Sequence, residues 1–137
     1  MTIRENIAKQ LVGGLRSHDR KAIPSVSLTT DSSLLTAWTN DSDFETVFSR
    51  QVEALGEAGD VLVALSTSGN SKNVIEAIKC ADTRGIHTVV LTGKSGGLLS
   101  NGGSVTIRIP SDDTQRIQEG HITVGHILCE LVENSIR

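Results

Sequence analysis

Residues Ser66-Thr67-Ser68-Gly69-Asn70-Ser71 gather four hydroxyl side chains around one glycine, directly after the apolar run 61–65. A strand that ends in such a loop and passes into a helix presents free backbone N–H groups and the positive end of the helix dipole, a place for an anion. The hydroxyls add neutral donors at the same point, and glycine lets the backbone turn closely. With no Lys or Arg inside it, the loop suits reversible binding of a metabolite's phosphate better than a nucleoside triphosphate with magnesium. Ser66, Thr67, Ser68 and Ser71 are therefore candidate phosphate ligands. The plainer alternative is a strand-to-helix turn that uses cap residues and binds nothing.

A second group lies near the C-terminus. Gln118, Ile122, His126 and Cys129 are spaced i, i+4, i+8 and i+11, so a helix puts them on one face, and Gln118 and His126 could address one pocket. Histidine has an ordinary pKa near about 6.5, which suits proton transfer at neutral pH. His126 is the candidate for that work, with a structural role as the alternative. His121 falls on the stripe of Ile117, Val124 and Leu128 and reads as a packed core histidine. Arg116 and Glu119 read as a surface ion pair at i, i+3. Gly93-Lys94-Ser95 imitates the end of a nucleotide-binding P-loop, but that pattern needs glycine five residues before Gly93, where Thr88 stands. A glycine-rich turn leaving a strand fits it better. Neither a GxGxxG pattern nor a Ser-His-Asp order that spacing would support occurs.

The elements that must hold these groups follow from periodicity. Thr2 and Glu5 make a capping-box pattern ahead of a short helix carrying Ile3, Ile7 and Leu11, stopped by Gly13-Gly14. Residues 23–29 alternate as a strand, with Pro24 tolerated at its start. Asp31 reads as the N-cap of a brief helix holding Leu34, Leu35 and Trp38, and Thr39-Asn40-Asp41 as a turn. Ser42-Asp43-Phe44-Glu45 gives a second capping box, before a helix with the stripe Phe44, Val47, Phe48, Val52 and Leu55. The run 61–65 reads as a strand covered on both faces in a parallel sheet, followed by a helix striped with Val74, Ile75, Ile78 and Ala81 and closed by Gly85. Strands at 87–91 and 105–109 and a long helix from about Asp113 complete the chain. This alternation predicts a three-layer α/β/α sandwich with a mostly parallel sheet and flavodoxin-like topology. Ligands in such folds bind beyond the carboxyl ends of the strands, which here means residues 66–71, 92–97 and 110–115.

Composition narrows the rest. At 137 residues the chain is expected to be a single domain, 1–137. A net charge of −3, one Trp and two Phe argue against a nucleic-acid surface. No membrane span or secretory signal is legible, so a soluble cytoplasmic protein is expected. Cys80 and Cys129 have no metal-ligand spacing and are expected to be reduced core thiols. Arg16, His18, Arg20 and Lys21 form a basic cluster that is either a solvated turn or a rim attracting an anionic substrate.

Three stretches carry a resemblance: Leu65-Ser-Thr-Ser-Gly-Asn-Ser-Lys-Asn-Val-Ile, Leu91-Thr-Gly-Lys-Ser-Gly-Gly, and Arg116-Ile-Gln-Glu-Gly-His-Ile with His126 following. With Thr29-Thr-Asp31, Asn40-Asp41 and Phe48-Ser-Arg-Gln-Val-Glu-Ala-Leu-Gly56, the chain resembles the phosphoheptose isomerases of the sugar isomerase (SIS) family over nearly its whole length. The resemblance implies an aldose–ketose isomerase acting on sedoheptulose 7-phosphate, supplying heptose for lipopolysaccharide or related glycans as a cytoplasmic homotetramer with active sites between subunits. It implies phosphate binding by Ser66, Thr67, Ser68 and Ser71, sugar contacts from Asn40 and Asp41, a substrate or metal contact from Gln118, and acid/base work by His126.

The same comparison marks departures. Gln10 stands where the family has its second proton-transfer residue, a glutamate. Gly14 replaces an arginine, and Asn6 a zinc-ligand histidine. Zinc is thus possible by resemblance only through Gln118 and His126, and no cofactor is expected to be required. The family's N-terminal portion, including a central strand and a glycine-rich loop, has no counterpart here; a longer natural chain would account for that. An alternative within the family is a non-catalytic module that binds a sugar phosphate or scaffolds a protein partner such as a replication initiator.

Overall fold

Three apolar runs form one parallel sheet in a computed structural model that describes residues 3–136. Strand β1 (Val61–Ser66) pairs with β2 (His87–Thr92), and β2 with β3 (Val105–Arg108), in the order β1-β2-β3. Parallel neighbours need a crossover, and helix α4 (Lys72–Thr83) supplies the one between β1 and β2. The register aligns Ser66 with Thr92 and Thr92 with Arg108, so all three strands deliver their last residues in one row.

Helices α1 (Ile3–Gly13), α2 (Ser32–Asp41), α3 (Val47–Leu55) and α5 (Thr114–Ser135) complete the element list. Helix α4, backed by α3, covers one face of the sheet, where Ala64, Val74, Ile78, Val90 and Leu99 form a core. Helix α5 covers the other face, with α1 packed upon it. This is the three-layer α/β arrangement that the alternation of elements predicts. Val90 and Leu91 are fully buried, each burial of this kind contributing about 1.5–3 kcal/mol. β1 is covered only toward its carboxyl end, because Val61 is 59% exposed.

The segments 23–29 and 43–46 depart from expectation. Residues 23–29 are not a strand. The alternation is present, but a strand exists only through a partner's ladder, and among the described residues the sheet ends at β1 without reaching this segment. Its carbonyls go elsewhere: Ser27 O accepts from Thr30 and Leu28 O from the Gln51 amide. Helix α3 also starts later than its capping box suggests. Asp43 Oδ1 accepts the Thr46 N–H and hydroxyl, which makes a turn of residues 43–46, leaves Phe44 outside the helix and moves the N-cap to Thr46.

Within the basic cluster Arg16, His18 and Lys21 are exposed, as in a solvated turn, whereas Arg20 is drawn inward. Glu133, 2% exposed on the last turns of α5, accepts the backbone N–H groups of Leu15, Arg16 and Ser17. Arg20 Nε lies 3.4 Å from the same carboxylate, while its NH2 group donates to the α1 carbonyls of Gln10 and Leu11. Arg16 pairs with Glu130 at 3.0 Å, and His18 Nδ1 lies 2.9 Å from Gly13 O. These contacts pin the end of α1 to the end of α5. The backbone donors hold the Glu133 carboxyl at about 2, below its ordinary value of 4.5. Since the folded state depresses this pKa, its stabilisation is present above pH 4.5 and is lost as pH falls toward 2. Glu133→Gln should therefore unfold at lower denaturant than the wild type at pH 7, and the gap should close as pH falls through that window, as urea titrations at several pH values would read.

Candidate functional site

β1 ends in a buried hydroxyl. Ser66 is 5% exposed, and its Oγ lies 2.8 Å from Ser71 Oγ. Ser71 is the N-cap residue of α4, yet its side chain caps no helix N–H. The hydroxyl that would ordinarily close the first turn is turned to Ser66 instead. Val74 N and Ile75 N return to Ser71 O, so the amides of Lys72 and Asn73 face outward at the positive end of the helix. Ser68 and Thr67 lie in the same loop, and Ser68 Oγ accepts the Asn70 N–H at 3.2 Å.

The loop is held by the turn that follows β2. Gly93 N donates to Thr67 O, Leu99 N to Gly69 O, and Leu98 N to Asn70 Oδ1. Gly69 has φ +67°, and a Cβ there would collide with Gly96 O. Gly96, at φ +73°, is equally confined. Both positions thus require glycine for the left-handed backbone, Gly69 also because Gly96 O approaches it from the other loop, and Gly96 because Ser100 of its own turn fills the place of a Cβ. The imitation P-loop Gly93-Lys94-Ser95 is part of this bracing turn.

Helix α5 begins at Asp113, whose side chain accepts the Gln115 N–H at 2.8 Å. Ile117 packs over Gly93 so tightly that a Cβ on Gly93 would lie 2.6 Å from Ile117 Cδ1. His121, 1% exposed, sits with Nε2 3.2 Å from Thr92 O. It is the core histidine its stripe suggests, and it seats α5 on the carboxyl end of β2. Gln118 and His126 follow on an exposed flank of that helix and make no polar contact among the described residues. Cys129, fourth in the same row, is instead buried at 1% under α1, and desolvation pushes its thiol pKa up. Cys80 is free like Cys129 but only half-buried.

Asn40 and Asp41 are the last residues of α2 rather than a turn. Asn40 Nδ2 donates to Asp41 Oδ1 at 2.9 Å, and neither side chain bonds to the phosphate loop. An exposed ion pair, Lys72 Nζ with Glu45 Oε1 at 2.7 Å, links the segment after α2 to the start of α4. Gln10 lies on α1, its amide donating to Asn6 Oδ1 while its Oε1 is buried without a partner. Amides at 6, 10 and 118 with one imidazole at 126 do not fit zinc, which takes thiolate, imidazole and carboxylate donors. Among the described residues no group of three His, Cys, Asp or Glu side chains could hold a metal ion.

A parallel sheet flanked by helices, with a hydroxyl-rich loop running into a helix N-terminus, defines an α/β domain of the kind whose ligands lie beyond the carboxyl ends of its strands. A SIS domain model matches residues 1–93. The chain is 50% identical to the phosphoheptose isomerase of Sulfurimonas denitrificans over 132 residues, 96% of this chain and 67% of the relative. It is likewise 50% identical to that of Aquifex aeolicus, covering 69% of the relative. The structure of a phosphoheptose isomerase from Francisella tularensis superposes with a TM-score of 0.91 at 33% identity, covering 96% of this chain and 70% of that one. One from Neisseria gonorrhoeae gives 0.84 at 44%, covering 96% and 69%. The chain belongs to the SIS domain family, in its phosphoheptose isomerase branch.

Ser71→Ala removes a candidate phosphate donor and the partner of Ser66 together, and Ser66→Ala removes the other half of the pair. Each should weaken binding of a phosphosugar by about 1 kcal/mol or more, read by calorimetry. Unchanged affinity in both variants would remove the loop from the site. Gly69→Ala should separate the two loops, lowering Tm and abolishing that binding.

Proposed function

We propose that this protein is an aldose–ketose isomerase interconverting sedoheptulose 7-phosphate and D-glycero-D-manno-heptose 7-phosphate. The observation that carries this is the Ser66·Ser71 hydroxyl pair at the outward N-terminus of α4, in a chain half identical to phosphoheptose isomerases over nearly its whole length. In this reading residues 1–137 act as one sugar-phosphate-binding domain. Ser66, Thr67, Ser68 and Ser71 hold the phosphate, while Asn40, Asp41 and Gln118 contact sugar hydroxyls. His126 moves a proton at the reacting carbons or their oxygens. The isomerisation shifts one hydrogen between adjacent carbons and one between adjacent oxygens, and consumes no other reactant.

One imidazole does not complete a proton relay between two carbons, and Gln10 cannot act as a base. The second group comes from water or from a neighbouring copy of the chain. Exposure of Gln118 and His126 supports the latter, as do Ile127 at 50% and Leu131 at 60% exposure on the same helix. Such apolar surface suits association of copies into a homo-oligomer. Among the described residues no helix is long and apolar enough to cross a membrane, and work in the cytoplasm is part of the proposal. A second reading, a sugar-phosphate-binding module without turnover, is favoured by one observation: the Gln10 side chain is an amide spent on Asn6.

Proton and phosphorus NMR with sedoheptulose 7-phosphate separates the two. The aldose product should appear with the wild type and vanish with His126→Ala, and Gln10→Glu should accelerate its formation. Line broadening of the phosphate signal without product would establish the binding module instead.

A further inference from the structure

The phosphate loop supplies only neutral donors, whereas a sugar phosphate near neutral pH carries close to two negative charges. Four cations lie on the segments at the carboxyl ends of the strands. Three are matched by an acid: Lys72 with Glu45 at 2.7 Å, Lys94 with Asp112 at 3.6 Å, and Arg116 with Glu119 at 2.8 Å. The fourth, Arg108, is exposed and makes no ion pair or hydrogen bond among the described residues.

Its position is set by the sheet. Arg108 is the last residue of β3 and stands in register with Thr92, which is in register with Ser66. Residues paired across parallel strands project from the same face, and with strands about 4.8 Å apart the Arg108 and Ser66 backbones are roughly 10 Å apart. That face is the one on which Ser66 meets Ser71 of α4. The Arg108 stem crosses the bracing turn at Gly96, where a Cβ would lie 3.1 Å from Arg108 Cδ, and the other side of Gly96 abuts Gly69 of the phosphate loop. The Arg108 stem and the phosphate loop thus meet the same glycine, and the fork of N–H groups on a guanidinium matches phosphate oxygens.

The geometry points to Arg108 as a further phosphate-binding residue, supplying the positive charge that residues 66–71 lack. This rests on the phosphate-loop assignment, so the test carries a variant of that loop. Binding of sedoheptulose 7-phosphate to the wild type, Arg108→Gln, Arg108→Lys and Ser71→Ala is measured by calorimetry at low and high salt, with inorganic phosphate as a competing probe and Tm as a check of folding. Arg108→Gln should raise Kd about tenfold, the scale of a hydrogen bond to a charged group, and flatten the salt dependence. Arg108→Lys should retain that dependence with intermediate affinity, and phosphate should compete less well against Arg108→Gln. In turnover, the loss should fall on KM with kcat little changed. Wild-type affinity in Arg108→Gln together with weakened binding in Ser71→Ala would overturn the role of Arg108 alone. Wild-type affinity in both would overturn the phosphate loop and Arg108 with it. Weaker binding of equal salt dependence in Arg108→Gln would assign Arg108 to bracing the turn and would also overturn the proposal.

Discussion

Gly69 and Gly96 bring two main chains into direct contact, one from the loop after β1 and one from the turn after β2. Neither could carry a side chain, and each adopts a left-handed backbone that other residues rarely tolerate. The contact joins the two connections into one rim. It leaves Ser71 free to meet Ser66 instead of capping its own helix. It also lets Leu99 drop from the turn into the core between α4 and β2. The site is therefore built from backbone first, and its hydroxyls are placed by peptide geometry rather than by other side chains.

The second anchoring device lies at the opposite end of α5. A carboxylate surrounded by successive N–H groups resembles an anion site turned inward, with Glu133 as its own ligand. It fixes α1 against α5, while His121 and Ile117 seat α5 on β2. Gln118 and His126 thus project, exposed, from a helix held at both ends. Such a flank is well positioned and poorly sheltered, a combination that fits a centre completed by another surface.

Much of this is legible in local sequence. The continuous runs 61–65 and 87–91 announce buried parallel strands, Asp31 and Asp113 cap as their types suggest, and the stripe of Ile117, His121, Val124 and Leu128 marks the inward side of α5, on which Ile117 and His121 are buried. What escapes is everything decided at long range. Residues 23–29 have the alternation of a strand and no partner to realise it. Arg20 and Glu133 are 113 positions apart, so no spacing rule connects them. Arg108 stands out only once the register joins it to Thr92 and Ser66. Asp43 shows the opposite limit, a local bond that overrides a local motif.

β1 has a further consequence for how the protein behaves in bulk. His87 N donates to Asp60 O, so even-numbered residues of β1 face β2 and the backbone groups of Val61 and Val63 are directed away from it, along the margin of the sheet. Flanked by an exposed Val61, this margin is a template on which another extended chain can add. Protein concentration then becomes a structural variable: dilution favours the solitary fold, while crowded refolding sets intramolecular closure against strand exchange between molecules.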